Sequence, residues 1–267
     1  MKIVPELASL RAASPLALEK WGGAECMVNR VGDQWFDQVR ATGHHDRPAD
    51  FAAIAGLGFD ALRLPILWER VWPDPHAAPD WDWTDRACAA LAEHGIRPIA
   101  GLVHHGSGPA GTSLVASDFA PRLAEFAGLV AERYPTIADW TPINEPLTTA
   151  RFSALYGIWY PHVRDEGMFW TALLNQIDAT RLAMRAIRAV IPGARLIQTD
   201  DLGRTYATTG LAEQAAHDNQ RRWMTWDLLC GLVDTDHPLW PRLCNFGLQA
   251  RLEAIAADPC PPDVIGI

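Results

Sequence analysis

Apolar positions along this chain follow two alternating rhythms. Short, nearly continuous apolar runs over 21–29, 59–65, 97–103, 138–144, 195–199 and 262–267 have the length and composition of buried strands. Longer stretches with apolar residues at helical spacing fall between them. The clearest covers 167–190, where Leu173, Leu174, Ile177, Leu182, Met184 and Ile187 share a helical period and Pro192-Gly193 marks the stop. A shorter helix is predicted over 47–57 with Gly58 at its C′ position, and another runs from Asp80-Trp81-Asp82-Trp83-Thr84 to His94 and is closed by Gly95. Ser117 or Asp118 caps a helix reaching about Tyr134. Two more helices are expected over 213–232 and 247–257, and residues 1–19 read as a loosely structured lead-in.

Strands separated by helix-length crossovers imply a parallel sheet and an α/β fold. No linker, repeat or low-complexity tract interrupts 1–267, so a single domain is expected. Asn29, Arg63, His104, Glu145 and Asp200 end successive strands. An open doubly wound sheet gathers its chemistry at one switch point, whereas a closed barrel distributes it around one axis. The distribution favours a (β/α)8 TIM barrel. Only about six of the eight strands are present, the last cut short, so the chain is expected to be a C-terminally truncated, incomplete barrel.

Composition narrows the function. A hydrophobic share of 49% supports a large core, and a net charge of −9 repels nucleic acid. No apolar run is long enough to span a membrane, and Glu6, Arg11 and Glu19 break up any signal-peptide core. Five cysteines, odd in number and without a C-x-x-C pair, suit reduced thiols in a cytoplasmic protein. The twelve tryptophans suit sugar stacking, but large cores use tryptophan as well. Oligomeric state is not legible.

The candidate chemistry centres on Asn144-Glu145-Pro146, where a strand runs into an amide, a carboxylate and a residue that ends it. Strand alternation sends Asn144 and Glu145 to opposite faces unless the strand kinks there. The run Gly106-Ser107-Gly108-Pro109-Ala110-Gly111 matches a dinucleotide fingerprint in letters, but the next helix opens several residues too late. His104-His105 resembles a metal pair, but neighbours on a strand face opposite ways, so no metal and no cofactor is expected. His44-His45-Asp46 is expected in a solvated loop, and Asp200-Asp201 in a helix-cap or loop role.

Five blocks together resemble glycoside hydrolase family 1, the retaining β-glycosidases. They are Trp21-Gly22-Gly23-Ala24 with Asn29; Arg63 with Trp68 and Arg70; His104; Asn144-Glu145-Pro146; and Asp263-Val264-Ile265-Gly266-Ile267. The resemblance implies retaining hydrolysis of β-glycosidic bonds in O-glycosyl compounds, with a carbohydrate or glycoside substrate. Glu145 would be the general acid/base and Asn144 would bind the sugar 2-hydroxyl. His104 and Asn29 would bind sugar, and Arg63 would sit beside a nucleophile carried on the missing seventh strand. The fragment as given is expected to be inactive. Glu25, Tyr156 and Trp159 are added as candidate substrate-binding residues from their own chemistry and position, while Trp68 reads as core packing.

Three positions depart from the family pattern: Asn29 where it has Gln, His105-Gly106 where it has Trp-Asp, and Pro142 where it has Thr. Trp21-Gly22-Gly23-Ala24-Glu25-Cys26 and Trp159-Tyr160-Pro161-His162 look like a branch in which such a domain precedes a dTDP-4-dehydrorhamnose reductase-like domain. This gives the alternative reading, a non-catalytic sugar- or nucleotide-sugar-binding domain. Another carboxylate-based barrel glycosidase with the same Asn-Glu-Pro ending remains a third.

Overall fold

The rhythm of strand and helix produces a parallel sheet of six strands that curls into an incomplete (β/α)8 barrel. The computed structural model describes residues 18–267, so most of the lead-in expected over 1–19 lies outside the described residues. The chain runs β1 (Trp21–Gly23), β2 (Val28–Val31), β3 (Gln34–Asp37), α1 (Gln38–Ala41), α2 (Ala49–Ala55), β4 (Ala61–Pro65), α3 (Trp68–Val71), α4 (Asp82–Glu93), β5 (Arg97–His104) and α5 (Phe119–Arg133). It continues with β6 (Asp139–Asn144), α6 (Pro146–Ala150), α7 (Glu166–Val190), β7 (Arg195–Thr199), α8 (Ala212–Arg221), α9 (Met224–Leu229), α10 (Trp240–Asn245), α11 (Gln249–Ala257) and β8 (Val264–Gly266). The sheet order is β1-β4-β5-β6-β7-β8.

The first predicted strand divides. β1 stops at Gly23, and Asn29 lies on β2, which pairs antiparallel with β3 outside the main sheet. The cause is a two-residue hairpin turn at Gly32-Asp33, with Gly32 at φ 59°. A Gly-Asp pair between apolar runs is a hairpin signal that a single-strand reading overlooks. The helix predicted over 213–232 also divides, into α8 and α9.

Helices cover one face of the sheet. Leu173, Leu174, Ile177, Met184 and Ile187 of α7 are fully buried, and Leu182 packs at the margin of the same core. Each such side chain contributes about 1.5–3 kcal/mol by leaving water. Trp68 lies near-parallel to Phe126 with centroids 6.3 Å apart, which is the core role read from the sequence. The other face holds a smaller cluster of Ala61, Ile99 and Ile197 against Trp21 and Val264. His44 and His45, expected in solvent, are instead half-buried against Trp83, and His44 Nδ1 lies 2.9 Å from Asp50 Oδ2.

Gly58 follows α2 at φ 72° and its N–H donates to Ala55 O at 2.9 Å. Only glycine adopts this conformation without strain. Gly58→Ala is expected to cost about 1 kcal/mol, read as a lower urea midpoint with an unchanged slope.

Candidate active site

Two neighbouring strands end in the same way. His104 of β5 and Asn144 of β6 are partners in register. Each is followed by a non-glycine residue in the left-handed region, His105 at φ 55° and Glu145 at φ 45°. Regular alternation would turn each of these residues away from its predecessor. The left-handed step cancels that alternation and returns all four side chains to one rim. Each such residue costs about 1–3 kcal/mol and persists only where its surroundings hold it. Here Glu145 N–H donates to Thr199 O of β7 at 3.2 Å, and Pro146 opens α6 immediately afterwards. The kink anticipated at Pro146 exists, but Glu145 is left-handed rather than extended, the conformation usually preferred before proline.

Asn144 organises the rim. Its Oδ1 accepts from Arg63 Nη1 at 2.6 Å and from Thr199 Oγ1 at 2.9 Å. Two donors on one atom fix the amide's orientation. Nδ2 therefore faces the imidazoles, 3.2 Å from His105 Nε2 and 3.5 Å from His104 Nε2. His104 Nε2 also lies 3.1 Å from Glu25 Oε2, and Glu145 Oε2 lies 4.0 Å from His105 Nε2. Trp159 packs on His105 at 5.4 Å between ring centroids.

The charges are graded. Burial raises the Glu145 carboxyl above its ordinary range, and the negative charge of Asp200 raises it further. Burial pushes His104 down to about 3 and His105 to about 4, with the Arg63 charge acting in the same direction on both. Both rings are thus neutral at physiological pH and serve as hydrogen-bonding groups, whereas the raised pKa of Glu145 favours its protonated form, as a general acid requires. Asp200 is buried and accepts from Leu147 N–H at 3.0 Å and from Thr225 Oγ1 at 2.5 Å, so it caps α6 from across the chain. A cavity of about 550 Å³ lies beside the rim, lined by Glu25, Cys26 and Arg63 with Ile54, Leu57 and Phe59; Glu145 is not part of its lining.

The sequence model of glycosyl hydrolase family 1 matches residues 24–228. The chain belongs to this family. It is 27% identical over 182 residues to a 6-phospho-beta-glucosidase of Dickeya chrysanthemi, covering 64% of this chain and 39% of that protein. It is 26% identical over 165 residues to Beta-glucosidase A of Thermotoga maritima, covering 58% and 37% respectively. The chain thus spans less than half the length of either relative. Among solved structures, the beta-glucosidase from Thermotoga maritima in complex with castanospermine superposes with a TM-score of 0.76 at 17% identity, over 94% of this chain and 64% of that one, a likeness of fold.

Within this family 1 chain, the rim brings together Arg63, His104, Asn144, Glu145, Glu25 and Trp159 from the sequence-derived candidates. Asn29 is buried, but its amide hydrogen bond goes to Met27 Sδ at 3.3 Å, because the hairpin carries it away from the end of β1. Glu25 is not the buried strand residue anticipated. It lies in the loop after β1 with its side chain 71% exposed. Tyr156 touches Phe152 at 5.7 Å and is one ring removed from Trp159, which stacks on Phe152 at 4.7 Å. The expectation that His104 and His105 face opposite ways fails, since their rings stand 4.9 Å apart on one side. Sequence reasoning missed Cys26, Thr149 and Thr199, which orient the rim side chains; no local pattern marks them, because their partners come from other strands. The glycine-rich 106–111 segment runs as loop to α5.

Proposed function

We propose that this chain is the N-terminal part of the barrel domain of a retaining β-glycosidase in which Glu145 is the general acid/base. The observation that carries the reading is the left-handed step at Glu145, which sets a carboxyl of raised pKa on the same rim as Asn144. Retaining hydrolysis needs a second carboxylate about 5–5.5 Å from the first. In this reading it comes from the part of the barrel outside residues 1–267 and attacks the anomeric carbon while Glu145 protonates the departing oxygen. Glu145, now a carboxylate, then takes a proton from the water that breaks the glycosyl–enzyme bond. Asn144 Nδ2 donates to the sugar hydroxyl next to the reacting carbon, and Arg63 holds the amide in place through Oδ1. Glu25 and neutral His104 accept from or donate to outer hydroxyls, and Trp159 offers a ring face. The reaction as written uses no cofactor. No helix among the described residues is long and apolar enough to cross a membrane. The free cysteines support a reducing, cytoplasmic setting.

The test is stereochemical. The protein with its complete barrel is given an aryl β-glycoside, and the first-formed sugar is followed by proton NMR. The β-anomer is expected first; initial α-anomer, or sugar binding with no turnover, would overturn the reading. The second outcome would favour a sugar- or nucleotide-sugar-binding domain of a dTDP-4-dehydrorhamnose reductase fusion, a reading that draws on His105-Gly106 standing where the family has Trp-Asp.

A further inference from the structure

The two sides of β6 are held differently. Toward β5 the strand keeps its register up to Val103–Ile143 and His104–Asn144. Toward β7 the paired residues are Asp139–Arg195 and Trp140–Leu196, and the ladder stops there. Pro142, which departs from the family pattern, is the cause. Arg195 N–H donates to Ala138 O at 2.7 Å. Continued in the regular parallel pattern, that bond would put the N–H of residue 142 on Ile197 O and the N–H of Asn144 on Thr199 O. Proline has no N–H to give. Thr141 Oγ1 donates to Ile197 O in its place, at 2.9 Å. Pairing then resumes one residue late, because Glu145 rather than Asn144 donates its N–H to Thr199 O, at 3.2 Å. β6 thus bulges opposite β7, and bulges re-aim side chains beside active sites.

Gln198 of β7 spans this bulge. Its Nε2 donates to Ile143 O at 3.1 Å and to Thr199 O at 2.9 Å. The first carbonyl belongs to the peptide group that leads into Asn144, and the second is the acceptor that holds Glu145 N–H. One amide nitrogen therefore grips both ends of the Asn144–Glu145 step. The side chain is fully buried, and Oε1 has no partner among the described residues. That unpaired oxygen is a cost to stability that an apolar residue of the same shape would avoid. Gln198 also stands away from any sugar. Leu196, on the same face of β7, packs into the core beneath the helices, whereas Ile197 faces the barrel side. The Asn144 amide has its own hold on the barrel side, from Arg63 and Thr199, so the group left dependent on Gln198 is Glu145.

We propose that Gln198 is a positioning residue for the acid/base step, setting from behind the sheet where the Glu145 carboxyl stands relative to the glycosidic oxygen. This rests on the reading of Glu145 as the general acid/base. The left-handed turn of Glu145 needs surroundings that hold it, and Gln198 supplies them by fixing the acceptor of the Glu145 N–H and the carbonyl two residues before it. A displacement of the carboxyl by even about 1 Å would be felt in the rate, because proton transfer depends on the reacting atoms being placed in advance. Thr141 closes the same gap lower in the strand pair but touches neither carbonyl of the step, so it serves the fold alone.

The test uses the protein with its complete barrel and an aryl β-glycoside with a poor leaving group. Gln198→Met keeps the length of the side chain and removes both hydrogen bonds. It is expected to lower kcat about tenfold while KM changes less than about twofold. In a Glu145→Ala background the same change should lower kcat less than about twofold, because the group it positions is gone. Gln198→Asn keeps an amide one methylene further back and should lose less than Gln198→Met; it carries the comparison if Gln198→Met does not fold. Thr141→Val should lower the urea midpoint and leave kcat unchanged. An unaltered kcat in the folded Gln198 variant, or an equal loss with and without Glu145, would overturn the positioning role and leave the acid/base reading intact. If Glu145→Ala itself leaves kcat unchanged, the acid/base reading fails and the positioning role fails with it.

Discussion

Glu145→Ala is expected to lower kcat for a glycoside with a poor leaving group by about 10²–10⁴-fold, the usual contribution of a positioned proton donor. This corresponds to about 3–5.5 kcal/mol of transition-state stabilisation. A glycoside whose leaving group departs without protonation should lose less in the first step, and azide should replace water in the second and restore turnover. Equal activity of wild type and variant would remove Glu145 from the mechanism. The pH profile carries the same logic with a definite sign. The acid form of Glu145 is the active one for departure of the leaving group, so activity falls as pH rises through its raised pKa. Burial is the first cause of that rise and the charge of Asp200 the second. Asp200→Asn removes the like charge and should move the basic limb toward lower pH.

The barrel was legible because each strand and helix is long enough to show its own period, as α7 does through Leu173, Ile177 and Met184. The Asn144-Glu145 pair was legible because the chemistry and the proline that stops the strand are adjacent in sequence. What stayed hidden depended on backbone sign or on distant partners. Nothing local marks His105 as left-handed, so alternation gave the wrong face for its ring. Asn29 was misplaced because a two-residue turn at Gly32-Asp33 redirects the chain before any periodicity can register it. Thr199 and Thr149 matter only through what β7 and α6 are brought against.

The two ends of the sheet divide the labour. At the N-terminal ends of the strands, Asp139 is fully buried and held by Arg195 at 2.7 and 2.9 Å, with Arg97 at 3.6 Å and Glu19 beyond it. That network ties β5, β6 and β7 together beneath the core. The two left-handed non-glycine residues that end β5 and β6 both lie at the C-terminal ends. Strain sits where chemistry is expected in a (β/α) barrel, and stabilising charge sits opposite.

Glu69 joins the two concerns, and its ionisation should be visible in stability. It lies buried on α3, with Oε1 accepting from Gly108 N–H at 2.9 Å and Oε2 without a partner among the described residues. A Cβ at Gly106 would overlap that carboxyl and press on Val28 O, so glycine at 106 and glutamate at 69 are one packing solution. Where the family pattern has an Asp after the strand, this chain has Gly106, and a carboxyl enters the same space from α3. Burial raises the Glu69 pKa from an ordinary 4.5 to about 7, against the lowering effect of its backbone hydrogen bonds. A carboxyl whose folded pKa is raised contributes stability that is fully present below about pH 4.5 and lost as pH climbs through 7. The difference is worth roughly 3 kcal/mol. Glu69→Gln keeps an acceptor for Gly108 and cannot ionise. Urea unfolding across pH 4.5–8 should show the wild type losing about that much stability relative to the variant, with the loss centred at about pH 6 and complete above about 7. A constant difference over that range would mean that the carboxyl does not titrate there. A falling one would mean that the folded protein holds Glu69 protonated well above the ordinary carboxylate range, in the packing it shares with Gly106 and Gly108 of the loop that begins at His105.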